Sequence, residues 1–231
     1  MNFKKQSRVS RKPIKVGKKN KMENQINNWT SIWEKALPYL ALTGPASLFI
    51  ASLFVTAGVG IIPDKTYTNS NYEGFVMTLG APFFIATFIF LGQTLAKRFL
   101  KVSILVTLLG ILGVSSLIFV SSMRLLQQAF VDSGFDSNTV WAAWDNVSVW
   151  HIPLLLQNIA APLAFIIAGV ALLLTNVSPK WVGILLIICF PFIATGQLIG
   201  KPEIFWTLGT MLMTISIVGL VKAVGKNSTN A

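Results

Sequence analysis

Six long stretches of this chain contain no Asp, Glu, Lys or Arg, and that absence sets its class. They run over residues 39–62, 75–95, 102–122, 152–175, 181–199 and 204–221. Charged residues make up only 12% of the chain, against about 25% in an average soluble domain. A hydrocarbon layer about 30 Å thick is crossed by roughly 20 apolar residues in a helix, and each stretch is near that length. Helices that are apolar all round can also fill a soluble core. A chain of 231 residues is too short to wrap six of them in polar surface. Barrel strands would alternate apolar and polar residues, which the run Ile184-Leu-Leu-Ile-Ile-Cys-Phe does not do. The expected fold is all-α: a polytopic membrane protein of six transmembrane helices.

Other scarcities exclude chemistry. Histidine occurs once, at His151, and cysteine once, at Cys189. Haem ligation by two histidines of one chain, an HExxH zinc site, a disulfide framework and a thiolate metal cluster are thereby excluded. No GxSxG or Walker loop occurs. No ionisable residue lies inside the six stretches, and such residues are the usual functional markers of spans. The expectation is a protein with no metal, no cofactor and no catalytic reaction.

The charges that are present orient the chain. Lys4, Lys5, Arg8, Arg11, Lys12, Lys15, Lys18, Lys19 and Lys21 precede the first acid, Glu23. Cationic flanks stay on the cytoplasmic side. Lys97, Arg98 and Lys101, then Lys180, then Lys222 and Lys226 fall on that same side of a six-span chain. Both termini are expected inside, in the plasma (inner) membrane. All seven tryptophans lie at or beyond span ends, where amphipathic indoles settle at headgroup depth. Residues 1–37 are polar and show no cleavable signal peptide. Met22 offers a second start for translation that would remove most of the basic tail.

The domain division expected is a basic cytoplasmic tail over 1–37, a six-helix domain over 38–222 and a short cytoplasmic tail over 223–231. Ile26, Trp29, Trp33 and Leu37 recur at helical spacing within 23–37, as a helix lying at the inner interface or packed on the bundle would require. The basic tail fits a solvated topology signal or docking on anionic lipid headgroups. It lacks the aromatic interleaving of a nucleic-acid binder. The outer loop over 123–151 starts with Leu125, Leu126, Ala129 and Phe130, which could prolong the third helix. It returns as a segment bearing Trp141, Trp144 and Trp150.

Prolines divide the spans into two like halves. Pro45, Pro82, Pro162 and Pro191 occupy the first, second, fourth and fifth spans, and the third and sixth have none. Each of the four is expected to kink its helix. Three spans per half bring the second half in from the opposite face, as in a 3+3 inverted repeat. Pro82-Phe-Phe-Ile-Ala-Thr and Pro191-Phe-Ile-Ala-Thr resemble each other in a different register. Small residues at Ser52, Thr56 and Gly60, at Gly110 and Gly113, and at Ala160, Ala164 and Ala168 permit close helix contact. They serve either the bundle or a homo-oligomer face.

The uncharged polar residues left to form a site are His151, Gln157, Asn158, Thr195 and Gln197, all in the outer halves of the fourth and fifth spans. They support either interhelical hydrogen bonding or a small outward-facing pocket. Two functions remain open: a permease-like or channel-like protein for an uncharged solute, and a non-catalytic assembly or envelope component.

Overall fold

The computed structural model describes residues 16–62, 69–136, 139, 152–199 and 201–229. The basic residues before Val16, His151 and the Trp-rich return of the outer loop lie outside the described residues. The chain divides into two units, residues 1–36 and residues 37–231.

In the first unit, residues 16–36 are helical and open helix α1, Val16–Thr56. The stretch over 23–37 is therefore a helix. Its large apolar residues are exposed, with Trp29 at 73%, Ile32 at 61% and Trp33 at 42%.

The second unit is a helical bundle. The rest of α1 is followed by α2, Asn71–Gly80, and α3, Phe83–Ala96. Next come α4, Leu100–Asp132, α5, Ile152–Leu173, α6, Lys180–Leu198, and α7, Pro202–Thr229. Four helices are long and apolar enough to cross a membrane, and the bent pair α2–α3 makes a fifth candidate. Residues Lys180–Gly196 of α6 form a shorter apolar helix. On α4, small residues point inward and large ones outward. Gly110, Gly113 and Ser116 are buried, while Leu105, Leu108 and Leu112 are exposed. A water-soluble bundle reverses that distribution, whereas small-residue contact lines are usual between helices in lipid.

Two boundaries differ from the sequence expectation. The first span was expected to reach residue 62, but α1 ends at Thr56. Gly58 and Gly60 follow with φ of +68° and +63°, a left-handed backbone that glycine adopts without a Cβ penalty. Ile61–Ile62 then pairs antiparallel with Asn69–Ser70 as a two-residue ladder. The second span was expected as one helix over 75–95. It is α2 and α3, bent by 47°, with the break at Ala81-Pro82 where proline cannot donate to the preceding turn. Pro45, Pro162 and Pro191 lie inside continuous helices. The third helix does continue past the expected span, through Phe130 to Asp132.

From α3 onward each helix packs on its neighbour in sequence, α1 packs on α3, α2 packs on α4, and the last helix returns to the first. A Cβ on Gly44 would stand 2.9 Å from the Phe84 backbone nitrogen, so α1 and α3 touch at their backbones. Gly92 faces Ser103 and Thr107 between α3 and α4. Gly113 faces Ala161 between α4 and α5. Gly169 and Gly183 face each other between α5 and α6, each carbonyl within 2.7 Å of where the other's Cβ would be. Ser216 donates to the Val182 carbonyl, 2.8 Å, between α6 and α7. Thr56 and Thr207 (2.7 Å) and Ser52 and Thr210 (3.1 Å) join α7 back to α1. The Ser52 and Thr56 positions of the small-residue stripe therefore serve the bundle.

Pro45 has a compensating partner. Its missing N–H leaves the Ala41 carbonyl without its helical donor. The fully buried Thr87 hydroxyl of α3 donates to that carbonyl at 2.7 Å. Thr87→Val should lower stability by about 1–3 kcal/mol, the range for orphaning a buried polar group. The same change in a Pro45→Ala background should cost clearly less, because the restored N–H takes the carbonyl. Thermal unfolding of the four proteins in detergent measures this, and equal losses in both backgrounds would refute the pairing.

Candidate functional site

An internal cavity of about 220 Å³ lies among the helices, lined by residues from all seven. Its walls are largely aromatic and aliphatic. Phe88 and Phe165 are 4.8 Å apart between centroids. Phe165 stacks on Phe190 at 5.6 Å and meets Phe84 edge-on at 6.5 Å. Such pairs contribute about 0.5–1.5 kcal/mol each beyond their buried area. Gly110 makes this cluster possible, since a Cβ there would overlap the Phe88 ring.

Polar groups interrupt the walls at Ser116, Arg124, Asn158 and Trp206. Arg124 is 8% exposed, and its Nε lies 2.9 Å from Oε2 of Glu73, which is 2% exposed. The carboxylate is held in place from its own helix. Ser70 and Glu73 form a capping box at the start of α2, with both hydrogen bonds at 3.4 Å. Ser70 Oγ in turn donates to the Val59 carbonyl at 2.7 Å. Gly74 lets α2 approach α4, because a Cβ there would come within 2.9 Å of Arg124 Cβ. The guanidinium also lies 5.9 Å from the Trp206 ring centroid, within cation–π range. Arg124 Nε is held by the ion pair, with no hydrogen bond of good geometry, and two further buried donors, Arg124 Nη1 and Trp206 Nε1, have no hydrogen-bond partner among the described residues.

The residues nominated from sequence are only partly brought together. Gln157 and Asn158 both meet α4. Ser115 donates to Gln157 Oε1 at 2.9 Å, and Ser116 donates to Asn158 Oδ1. Asn158 lines the cavity. Thr195 is exposed and donates to the Pro191 carbonyl of its own helix, 2.9 Å. The side chain of Gln197, and the whole of His151, lie outside what the structure describes. Pro162 lines the cavity, whereas Pro45, Pro82 and Pro191 do not.

Glu73, Arg124 and Trp206 were missed. Both charges fall just outside the uncharged stretches 75–95 and 102–122, yet both belong to helices that are candidate spans. The expectation of spans without ionisable groups is corrected there. A signal was present in Ser70-Asn-Tyr-Glu73, a capping box before an apolar run. Nothing local marks Arg124 as its partner. Among the described residues, no group of three or more His, Cys, Asp or Glu could hold a metal ion. No protein-family model matches the chain, nor does any curated protein or solved structure.

The arrangement can hold a small molecule by its apolar body and present two N–H donors to it. The Glu73 carboxylate already balances the Arg124 charge, so the site has no net demand for an anion. Removing one partner of a buried pair typically costs about 3–5 kcal/mol, while replacing both by apolar residues is often neutral. Glu73→Met and Arg124→Met should each lower the unfolding midpoint markedly, and the double variant should recover most of the loss. A double variant as unstable as the sum of the singles would mean that the two charges act independently.

Proposed function

We propose that this chain is a six-span protein of the plasma membrane, with both termini cytoplasmic, that binds and passes a small uncharged solute in the manner of a permease. The observation that carries this reading is the cavity of about 220 Å³ reached by α1 to α7, beside which Arg124 Nη1 and Trp206 Nε1 have no hydrogen-bond partner among the described residues. Its size is below the roughly 300–1,000 Å³ of drug-sized pockets, which suits a small solute with a hydrogen-bond-accepting oxygen. In this reading α2 and α3 together form one span, α6 forms another, and the chain catalyses no reaction. Packing of each span on its sequence neighbour in both halves supports the 3+3 repeat. The proline positions differ in effect, since Pro82 breaks its span and Pro191 does not.

A non-catalytic assembly component is the second reading, favoured by the exposed Trp29, Ile32 and Trp33 of the N-terminal unit. The basic residues before Val16 would then hold the tail on anionic lipid.

Two measurements test the proposal. Single cysteines at Ser137 and Lys226, in a background lacking Cys189, should label from opposite sides of intact cells with an impermeant thiol reagent. Labelling of both from one side would overturn the topology. In a thermal-shift screen of small neutral solutes on the purified protein, at least one should raise the unfolding midpoint, and the same solute should cross proteoliposomes faster than protein-free vesicles. Asn158→Leu and Trp206→Phe should abolish that stabilisation, with Asn158→Leu also lowering the solute-free midpoint modestly because it breaks the Ser116 bond. A solute response unchanged in both variants would remove the cavity from the function.

A further inference from the structure

A second concavity, of about 560 Å³, lies where α5 ends, α6 begins and α7 ends. Its chemistry differs from that of the central cavity. Lys180, Lys222 and Lys226 line it together with Ser178 and Trp181, and no acidic side chain does. Lys180 is partly committed, since its Nζ donates to the Leu173 and Thr175 carbonyls at the end of α5. Lys222 is exposed.

Three features point to an anion. The first is the gathering of three lysines in one lining. The second is the start of α6, where Pro179 is the N-cap and makes no side-chain capping bond. The positive end of this 19-residue helix is thus uncapped by a side chain, with the Val182 N–H turned back on the Pro179 carbonyl at 3.1 Å, and such ends attract phosphate. The third is Ser178, which is only 8% exposed and whose Oγ has no hydrogen-bond partner among the described residues. A buried hydroxyl is rarely left unpartnered.

The position narrows the anion to a lipid. The groove sits at the ends of three apolar helices, where headgroups lie if the bundle is membrane-embedded. Trp181 is 44% exposed and packs against α7 at Gly219, where a Cβ would come within 2.8 Å of the indole. An indole so placed is suited to the interface between acyl chains and headgroups. We propose that this groove holds the phosphate of an anionic phospholipid, with Lys222 and Lys226 as counter-charges, Ser178 Oγ as a donor and Trp181 beside the acyl chain. It is separate from the basic tail, and it rests on membrane embedding but not on transport or orientation.

The test uses the full chain in a neutral detergent. Short-chain phosphatidylglycerol, phosphatidylcholine and inorganic phosphate are each titrated while the unfolding midpoint is followed, and retained lipid is counted by native mass spectrometry. Phosphatidylglycerol should raise the midpoint and stay bound, and the other two should do neither. Lys222→Gln with Lys226→Gln should weaken phosphatidylglycerol about tenfold or more, from a contribution of roughly 1 kcal/mol per cation. Lys222→Arg with Lys226→Arg should preserve binding. Ser178→Ala, which keeps every charge, should weaken it less and serves where the double glutamine variant does not fold. All variants carry the same basic tail, so wild-type affinity in both the glutamine and the alanine variants would assign the lipid to the tail and overturn the groove. Stabilisation by inorganic phosphate equal to that by phosphatidylglycerol would overturn the lipid.

Discussion

A polar group inside hydrocarbon has no water to bond, so its partner has to be another part of the protein. The packing of this bundle follows from that constraint. The first and last helices are joined by hydroxyls, through Ser52 with Thr210 and Thr56 with Thr207. The two middle helices are joined by adjacent serines and adjacent amides, Ser115 with Gln157 and Ser116 with Asn158. These two seams lie between the chain's halves. Within each half, glycine-mediated backbone contact, as at Gly44 and at Gly169 with Gly183, is joined by the polar pairs Thr87 with Ala41, Glu73 with Arg124, and Ser216 with Val182. In lipid there is no hydrophobic drive between apolar helices, so close packing and interhelical hydrogen bonds hold them together.

The same constraint explains Thr87. A proline in a membrane helix is tolerable when another group takes the carbonyl it orphans. Thr87 does this for Ala41 across the α1–α3 contact, where Gly44 has already brought the backbones together. Sequence placed Pro45 in a span but did not name its partner, which lies 46 residues from the carbonyl it serves. The gap between them is bridged only when the helices pack.

Glu73 and Arg124 satisfy each other but leave donors over. Arg124 has five N–H groups and one carboxylate beside it. Together with Trp206 Nε1 this leaves hydrogen-bonding capacity beside an aromatic-walled cavity. A fully apolar core of this size would pack without such groups. Burying such donors is unfavourable by itself, and under the proposed function a solute would take them.

The sequence by itself determined the class of the protein. Long uncharged runs are poorly solvated and of a length to cross a bilayer. It also located most helices, since apolar length, proline and Gly58/Gly60 are local signals. Asn158 was legible as a polar residue in an apolar helix, which has few places to go. Tertiary structure alone decided which charges meet. Glu73 and Arg124 are 51 residues apart in the chain, and each reads as an ordinary span-end residue. Their meeting depends on the bend before α3, on Gly74 and on a helix α4 that continues past its apolar run. The same holds for Trp206, whose indole could equally have been one more interfacial anchor. Local composition specifies where a helix sits in a bilayer, but the side chains that share a cavity are set by how helices distant in sequence come to touch.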